Sequence, residues 1–547
     1  MSNRIYNILF HTHTISGIVI SVALYVIFFA GSFSFFRDEI VSWERNESIS
    51  EGWMLQEMDF DLVLDTLETR KGIAKTDVAF NQHYDEQRLG VTISAPKGAE
   101  VKEGEKGRGR GGRGNFFYLN TKNLDTYDYQ ESYSFGEFLY RLHFFAQLNF
   151  FGRSGYMLAG IIAFFFLFAV ITGVIVHWKK IISNFYIFRP NNSVKNLWTD
   201  AHTALGIIGL PYQFMFALTG VYVIVGLTVM SPAIINYIYE GDQEKAFSDF
   251  GYSPPKFEFV GKPLEGEFSV NDLLAETKEK WPEFHVHNAS IFNYGDEGMH
   301  VQFTGKSDYN KKFASAGSIT YRMLDREIIA EKSPFQDVSY LDGARAVILR
   351  LHFGDFGGKG LKLVYFALGL LTCFVIISGV MIWLVARDKK HVSPAKRKFN
   401  AWLVWFYLAG CLSMFPVTAF TFVMIKVGLQ DPGVDRMGFI FQTFFWSWLA
   451  LTLIFTFIRS NAITNKFTLI LGGTIGLAVP VVSGVISGNW LWITLKNGQT
   501  DIFLVDALWL VISVSALMIG AKMKTKNADS EPSKPAVSRK ESTLAVG

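Results

Sequence analysis

The chain has 547 residues and only two cysteines, Cys373 and Cys411, both inside apolar runs. That scarcity excludes a disulfide framework, a thiolate iron–sulfur cluster and a Cys-x-x-Cys-His site for covalent haem. Any haem bound here is therefore of the non-covalent b type. Charge is also sparse, at 18% of residues with a formal net charge of +3. The small basic excess is accounted for by clusters beside apolar runs and argues against a nucleic-acid partner. The Gly/Arg run 104–114 is read as a flexible loop between strands, not as an RNA-binding box. What abounds is apolar: half of the residues are hydrophobic, in charge-free runs too long for a soluble core helix.

These runs predict eight membrane spans, at 15–36, 154–176, 203–229, 363–386, 401–425, 437–458, 467–487 and 502–521. The first is too long for a secretory signal and lacks a small-residue cleavage site before Arg37, so it is read as retained. Basic residues cluster after the second span (Lys179, Lys180, Arg189, Lys195), after the fourth (Arg387 to Lys398) and in the tail. All fall on one side if the amino terminus is cytoplasmic. The expected fold class is an α-helical polytopic membrane protein with two small extracytoplasmic α+β domains, built by duplication of a hairpin plus its domain. The divisions are 1–36 (first span), 37–150 (outer domain one), 151–229 (spans two and three), 230–360 (outer domain two), 361–386 (span four), 387–521 (a four-span bundle) and 522–547 (a disordered cytoplasmic tail). Within the outer domains, helices are expected at 60–71 and 269–281. Strands are expected near 77–82, 89–95, 115–120, 287–292, 300–304 and 318–324.

The duplication is visible as repeated motifs. His13-Thr-Ile-Ser-Gly17, Tyr140-Arg-Leu-His-Phe144 and Thr172-Gly-Val-Ile-Val-His-Trp178 recur in order as His202-Thr-Ala-Leu-Gly206, Leu349-Arg-Leu-His-Phe353 and Ser378-Gly-Val-Met-Ile-Trp383. On the topology the histidines form two layers, an inner one of His13 and His202 and an outer one of His143 and His352. A two-fold repeat sets each pair face to face, the usual way for a helical bundle to hold a b-type haem by two neutral nitrogens. His11 and His177 are further inner candidates. His177 breaks the symmetry, because the second copy has Trp383 in its place.

Gly17 and Gly206 lie one turn after the inner histidines, where the missing side chain lets a flat macrocycle approach or lets helices pack closely. Arg141 and Arg350 precede the outer histidines by two residues and suit either a propionate or lipid phosphate. His285, His287 and His300 allow a metal or substrate site in the second outer domain, with plain surface positions as the alternative. Asp506, just inside the eighth span, is expected to be a hydrated surface aspartate, with proton carriage as the alternative. Spans five to eight contain no histidine and read as a scaffold or docking bundle.

The motif order over residues 4–386 resembles the PepSY-associated transmembrane helix family, which includes iron-regulated inner-membrane proteins and ferric-siderophore reductases of Gram-negative bacteria. The resemblance implies an inner-membrane, haem-dependent oxidoreductase with two haem b. His13, His143, His202 and His352 stand at the family's repeated histidine positions. Electrons would pass outward to a periplasmic ferric siderophore or another small acceptor. Some relatives carry a fused flavodoxin-like and reductase module. This chain has no Gly-rich nucleotide fingerprint after the eighth span, so the implied donor is a membrane quinol or a separate cytoplasmic reductase. The rival expectations are a non-enzymatic PepSY-type ligand sensor and a siderophore transporter.

Overall fold

A computed structural model of the chain describes residues 2–49, 55–98, 115–186, 194–249, 255–307, 313–336, 338–430 and 434–524. The Gly/Arg run and the tail from 525 onward, expected to be a loop and a disordered segment, lie outside the described residues. Eight helices are long and apolar enough to cross a membrane: Asn3–Ser34, Ser154–His177, Leu210–Tyr237, Gly358–Arg387, Pro394–Gly428, Arg436–Ile458, Asn461–Ser487 and Thr500–Lys522. These first to eighth spans match the expected number and order. The first begins earlier than expected, which places His11 and His13 within the helix.

The third span differs from expectation. A single helix over 203–229 is interrupted at Gly209, between helices Val194–Ile208 and Leu210–Val225. Pro211 has no N–H to return to the preceding turn, so the ladder breaks there. A π-helical turn at Gly226–Met230 then carries the chain into Ser231–Tyr237. His202 therefore sits on the segment before the break.

The first span is the hub. It packs on the second and fourth spans and on the short helix Phe135–His143, while the fifth, seventh and eighth spans pack on one another. Its Ile20, Leu24, Phe28 and Phe33 are buried with Phe166, Tyr212 and Phe366 in one continuous core. Between spans such contacts act through close van der Waals packing, since lipid tails are as apolar as the side chains themselves.

The two outer domains are joined edge to edge. Four strands from each, β1 (Val78–Asn81), β2 (Arg88–Ile93), β3 (Asn115–Asn120), β4 (Thr126–Tyr127), β5 (Phe284–Phe292), β6 (His300–Ser307), β7 (Ala316–Arg322) and β8 (Ile328–Lys332), form one antiparallel sheet in the order β4-β3-β2-β1-β5-β6-β7-β8. The seam is β1 against β5, with Val78 opposite Ile291 and Phe80 opposite Ala289. Helices Phe60–Lys71 and Val270–Lys280 cover one face over a shared core of Phe60, Leu64, Phe80, Leu273, Val301 and Phe303.

Each of these helices caps the other. The Phe60 N–H donates to Asn271 Oδ1 at 2.8 Å, and the Val270 N–H donates to Asp61 Oδ1 at 2.7 Å. One orphan donor of each helix start is thus satisfied by the other copy, beside each helix's own cap at Asp59 and Ser269. β4 and β8, the short edge strands, were not anticipated from the sequence.

Candidate functional site: two facing imidazole pairs

The sequence repeat places His13 on the first span and His202 just before Gly209. The fold brings their rings side by side in an edge-on arrangement, with centroids 6.3 Å apart and planes at 72°. At the sheet end, His143 closes the helix Phe135–His143, and His352 lies in the last turn of Tyr340–Phe353. Their centroids are 6.1 Å apart and tilted by 42°.

Each ring is tethered through Nδ1. His13 Nδ1 donates to the Ala169 carbonyl at 2.9 Å, and His202 Nδ1 to the Val375 carbonyl at 3.0 Å, with the Ser378 hydroxyl also at 3.0 Å. His143 Nδ1 donates to the Ile27 carbonyl at 2.9 Å. His352 Nδ1 donates to Thr219 Oγ1 at 2.8 Å, because that hydroxyl spends its own proton on the Met215 carbonyl, also at 2.8 Å. A carbonyl accepts only, so the proton sits on Nδ1 and the lone pair on Nε2 in every case. This is the arrangement that orients a metal-ligating imidazole.

The spacing tests the fit of an iron between the rings. Two metal–nitrogen bonds of about 2.0 Å, with about 1 Å from each ring centre to its nitrogen, separate the centroids by roughly 6 Å. Both observed separations match that spacing, and the donor set of two imidazoles with free Nε2 atoms is of the kind a bis-imidazole iron needs. Ile27, whose carbonyl holds His143, is 14 residues after His13 on the same helix. The two layers are therefore about 21 Å apart along the axis.

The glycines fall into two sets. A Cβ at Gly17 would meet nothing within 4 Å, and one at Gly206 only Val375 Cγ1 at 4.0 Å, so both border open space and neither serves tight helix packing. The glycines pressed against imidazoles are others. A Cβ at Gly173 would lie 3.2 Å from His13 Cε1, one at Gly379 would lie 3.3 Å from His202 Cε1, and one at Gly31 would lie 2.6 Å from His143 Nδ1. The repeated Thr172-Gly173 and Ser378-Gly379 dipeptides were the available signal, since their hydroxyls stand beside the same rings.

The remaining site residues fall into three groups. His177 is beside the inner pair and half-exposed, whereas His11 is exposed and turned toward Phe10. Trp383, which replaces His177 in the second copy, lies under Arg387. Arg141 gives Nε to Glu137 Oε1 at 2.6 Å, an engagement that competes with the propionate contact expected of it. Arg350 is buried, with Asp355 at 3.4 Å. His285 and His287 lie at the bulged start of β5, while the His300 ring stacks on Phe257 at 3.9 Å, so the three do not converge. Among the described residues no group of three or more metal-ligating side chains forms.

A buried ion network underlies the first copy. Arg37 binds Asp38, Glu86 and Glu137 at 2.9, 3.1 and 3.0 Å and stacks on the Tyr84 ring at 3.4 Å. Burial pushes the Glu137 carboxyl up, but Arg37 and Arg141 outweigh it and hold it below the ordinary carboxylate range.

The model of the PepSY-associated TM region family matches residues 10–386, which takes in both imidazole pairs and the whole sheet. The chain belongs to that family. With eight apolar spans as well, it is a membrane protein. An uncharacterized protein of Pseudomonas aeruginosa, PA4219, is 26% identical over 249 residues, which cover 44% of this chain and 61% of the relative. The chain thus spans about six-tenths of the length of the curated relative it matches. The fifth to eighth spans lie beyond the family's matched region.

Asp506 corrects an expectation. It is not a hydrated surface residue but fully buried, and its Oδ1 accepts the Trp43 indole N–H at 2.7 Å. The helix Arg37–Arg45 packs over this end of the eighth span. Sequence position alone placed Asp506 near an interface that the fold then buried.

Proposed function

We propose that this protein is a di-haem b-type membrane oxidoreductase that carries electrons to an acceptor on the sheet side, most favourably a ferric siderophore. The observation that carries this reading is the two pairs of neighbouring imidazoles, with centroids 6.3 and 6.1 Å apart and each Nδ1 tied back, which leaves Nε2 as the free nitrogen. A haem b held there supplies one-electron Fe(III)/Fe(II) chemistry.

The chain's own residues set the geometry of that chemistry. Ala169, Val375, Ile27 and Thr219 fix ring orientation and tautomer. Gly31, Gly173 and Gly379 let the rings approach the helix backbones. The two layers divide a hydrocarbon core of about 30 Å, which a single hop would cross too slowly. Reduction of a ferric chelate needs no protein acid or base, since Fe(II) is held less tightly by hard oxygen ligands. On this reading the sheet end faces the periplasm, the chain lies in the inner membrane, and the donor is a quinol or a separate cytoplasmic reductase meeting the end where His177 lies.

The test is spectroscopic. Purified protein from haem-supplemented cells is expected to carry two b-type haems per chain, reducible by dithionite and reoxidised by a panel of ferric siderophores. Absence of b-type absorbance in folded protein would reject the reading in favour of a ligand sensor. Haem that no siderophore reoxidises would reject only the acceptor.

A further inference from the structure

Beyond the family's matched region, the fifth to eighth spans enclose a second polar site. Asp506 is completely buried, six residues into the eighth span and so about 9 Å from its start. Its Oδ1 accepts the Trp43 indole N–H at 2.7 Å, and its Oδ2 has no hydrogen-bond partner. The Ser483 hydroxyl of the seventh span stands beside the carboxyl, positioned to donate to it, and has no other partner.

Lys426 of the fifth span, also buried, makes no hydrogen bond with this carboxyl, although its charge acts on it. Its ammonium donates to the Trp43 carbonyl and lies 4.6 Å over the Trp43 ring. The other charged groups facing the site are committed elsewhere. Glu44 pairs with Arg436 of the sixth span, and Asp501 accepts Ser48 Oγ at 2.6 Å and the Ile49 N–H at 3.0 Å. Ser513, one face further down the eighth span, and Ser413 of the fifth are buried with unpaired hydroxyls.

An unpaired carboxylate taken out of water is costly, and a proton removes the cost. Such a group inside a membrane bundle is a functional site by default. An opening to solvent lies at the same end of the eighth span. A polar cavity of about 580 Å³ opens at the junction of the first outer domain and the eighth span, lined by Asn46, Ser48, Ile49, Asn497 and Gln499. Ser48 and Ile49 are the same residues that bind Asp501, one and a half turns above Asp506.

We propose that Asp506 is a proton-binding site, loaded from this cavity past Asp501, with Trp43 and Ser483 as its hydrogen-bonding partners. The step is protonation at Oδ2: an O–H bond forms, the proton comes from cavity water, and no electron moves. The site makes the C-terminal bundle more than a scaffold, and it stands whether or not haem is bound.

Infrared difference spectroscopy of the full chain in lipid nanodiscs, titrated with pH in sodium-free and sodium-containing buffer, tests it. A protonated-carboxyl C=O band that titrates with pH, downshifts in D₂O and is lost in Asp506→Asn is expected. Trp43→Phe removes one hydrogen bond and is expected to move the same band to higher frequency, which keeps the test decisive if the asparagine variant fails to fold. A band unmoved in Trp43→Phe, no band at any pH, or a band abolished by sodium would each overturn the proposal.

Discussion

The two copies of the repeat hold their outer histidines in opposite surroundings. In the first, the helix Phe135–His143 is buried on most of its length and sewn into the Arg37–Glu137–Arg141 network. In the second, the helix Tyr340–Phe353 leaves Tyr340, Leu341, Val347 and Phe353 exposed, and Arg350 is its one fully buried residue. The same Arg-Leu-His-Phe string thus serves a rigid anchor in one copy and an open approach in the other. The difference comes from the C-terminal bundle, which grips this end of the first copy through Trp43, Glu44 and Arg436 and meets the second copy along the fourth span. Duplication supplies matched ligands, and an unmatched neighbour makes one side stiff.

The largest effects should ignore this asymmetry. His143→Ala and His352→Ala are each expected to lower haem content from two to one per chain by pyridine haemochrome assay, as are His13→Ala and His202→Ala. Loss of both haems from folded protein, or of neither, would dissolve the two-layer arrangement.

The next effect should expose the asymmetry. Glu137→Gln breaks a buried network and should cost about 3–5 kcal/mol, whereas Asp355→Asn, at a more exposed pair, should cost under about 1 kcal/mol. Thermal melts of both variants measure the contrast, and equal losses would remove it.

Smaller still are effects at matched positions of the ring tethers. Gly31→Ala brings a Cβ to 2.6 Å from His143 Nδ1, whereas Gly220→Ala meets only Ala163 Cβ at 3.6 Å. The first should weaken haem retention roughly 10–100-fold, as should Thr219→Val, which unties His352. Gly220→Ala should leave haem retention unchanged, as haem-transfer kinetics to apomyoglobin would register.

The smallest concerns pH. Burial, then Lys306, His285 and Arg350, lower the His287 imidazole from 6.5 to about 4. A depressed folded value means that its contribution is intact above pH 6.5 and is lost as pH falls from 6.5 through about 4. His287→Gln should flatten the acid limb of the outer domain's stability curve over that interval.

Much of this was legible in the chain itself. Eight apolar runs, two helix–strand patterns and the repeated His-x-x-x-Gly and Arg-Leu-His strings carry span number, domain composition and pairing of the histidines, because periodicity and repeat order are local properties. The helix Phe60–Lys71 and strand Asn115–Asn120 were predicted to the residue. The Ser269 cap was also predicted, its side chain accepting the Asp272 N–H at 3.1 Å. Less legible were Gly31, Gly173 and Gly379, since which glycine meets an imidazole depends on how two helices are rotated against each other.

Sequence by itself determined that there are two layers of paired histidines in an eight-span membrane protein, because apolar length and motif order survive any packing. Tertiary structure alone decided that the outer domains share one sheet through β1 and β5, since which strand edge pairs with which depends on how the two domains dock and not on either strand's own residues. It alone decided that Asp506 is sealed beneath Trp43, since burial is a property of what packs against a residue and not of its place along the helix.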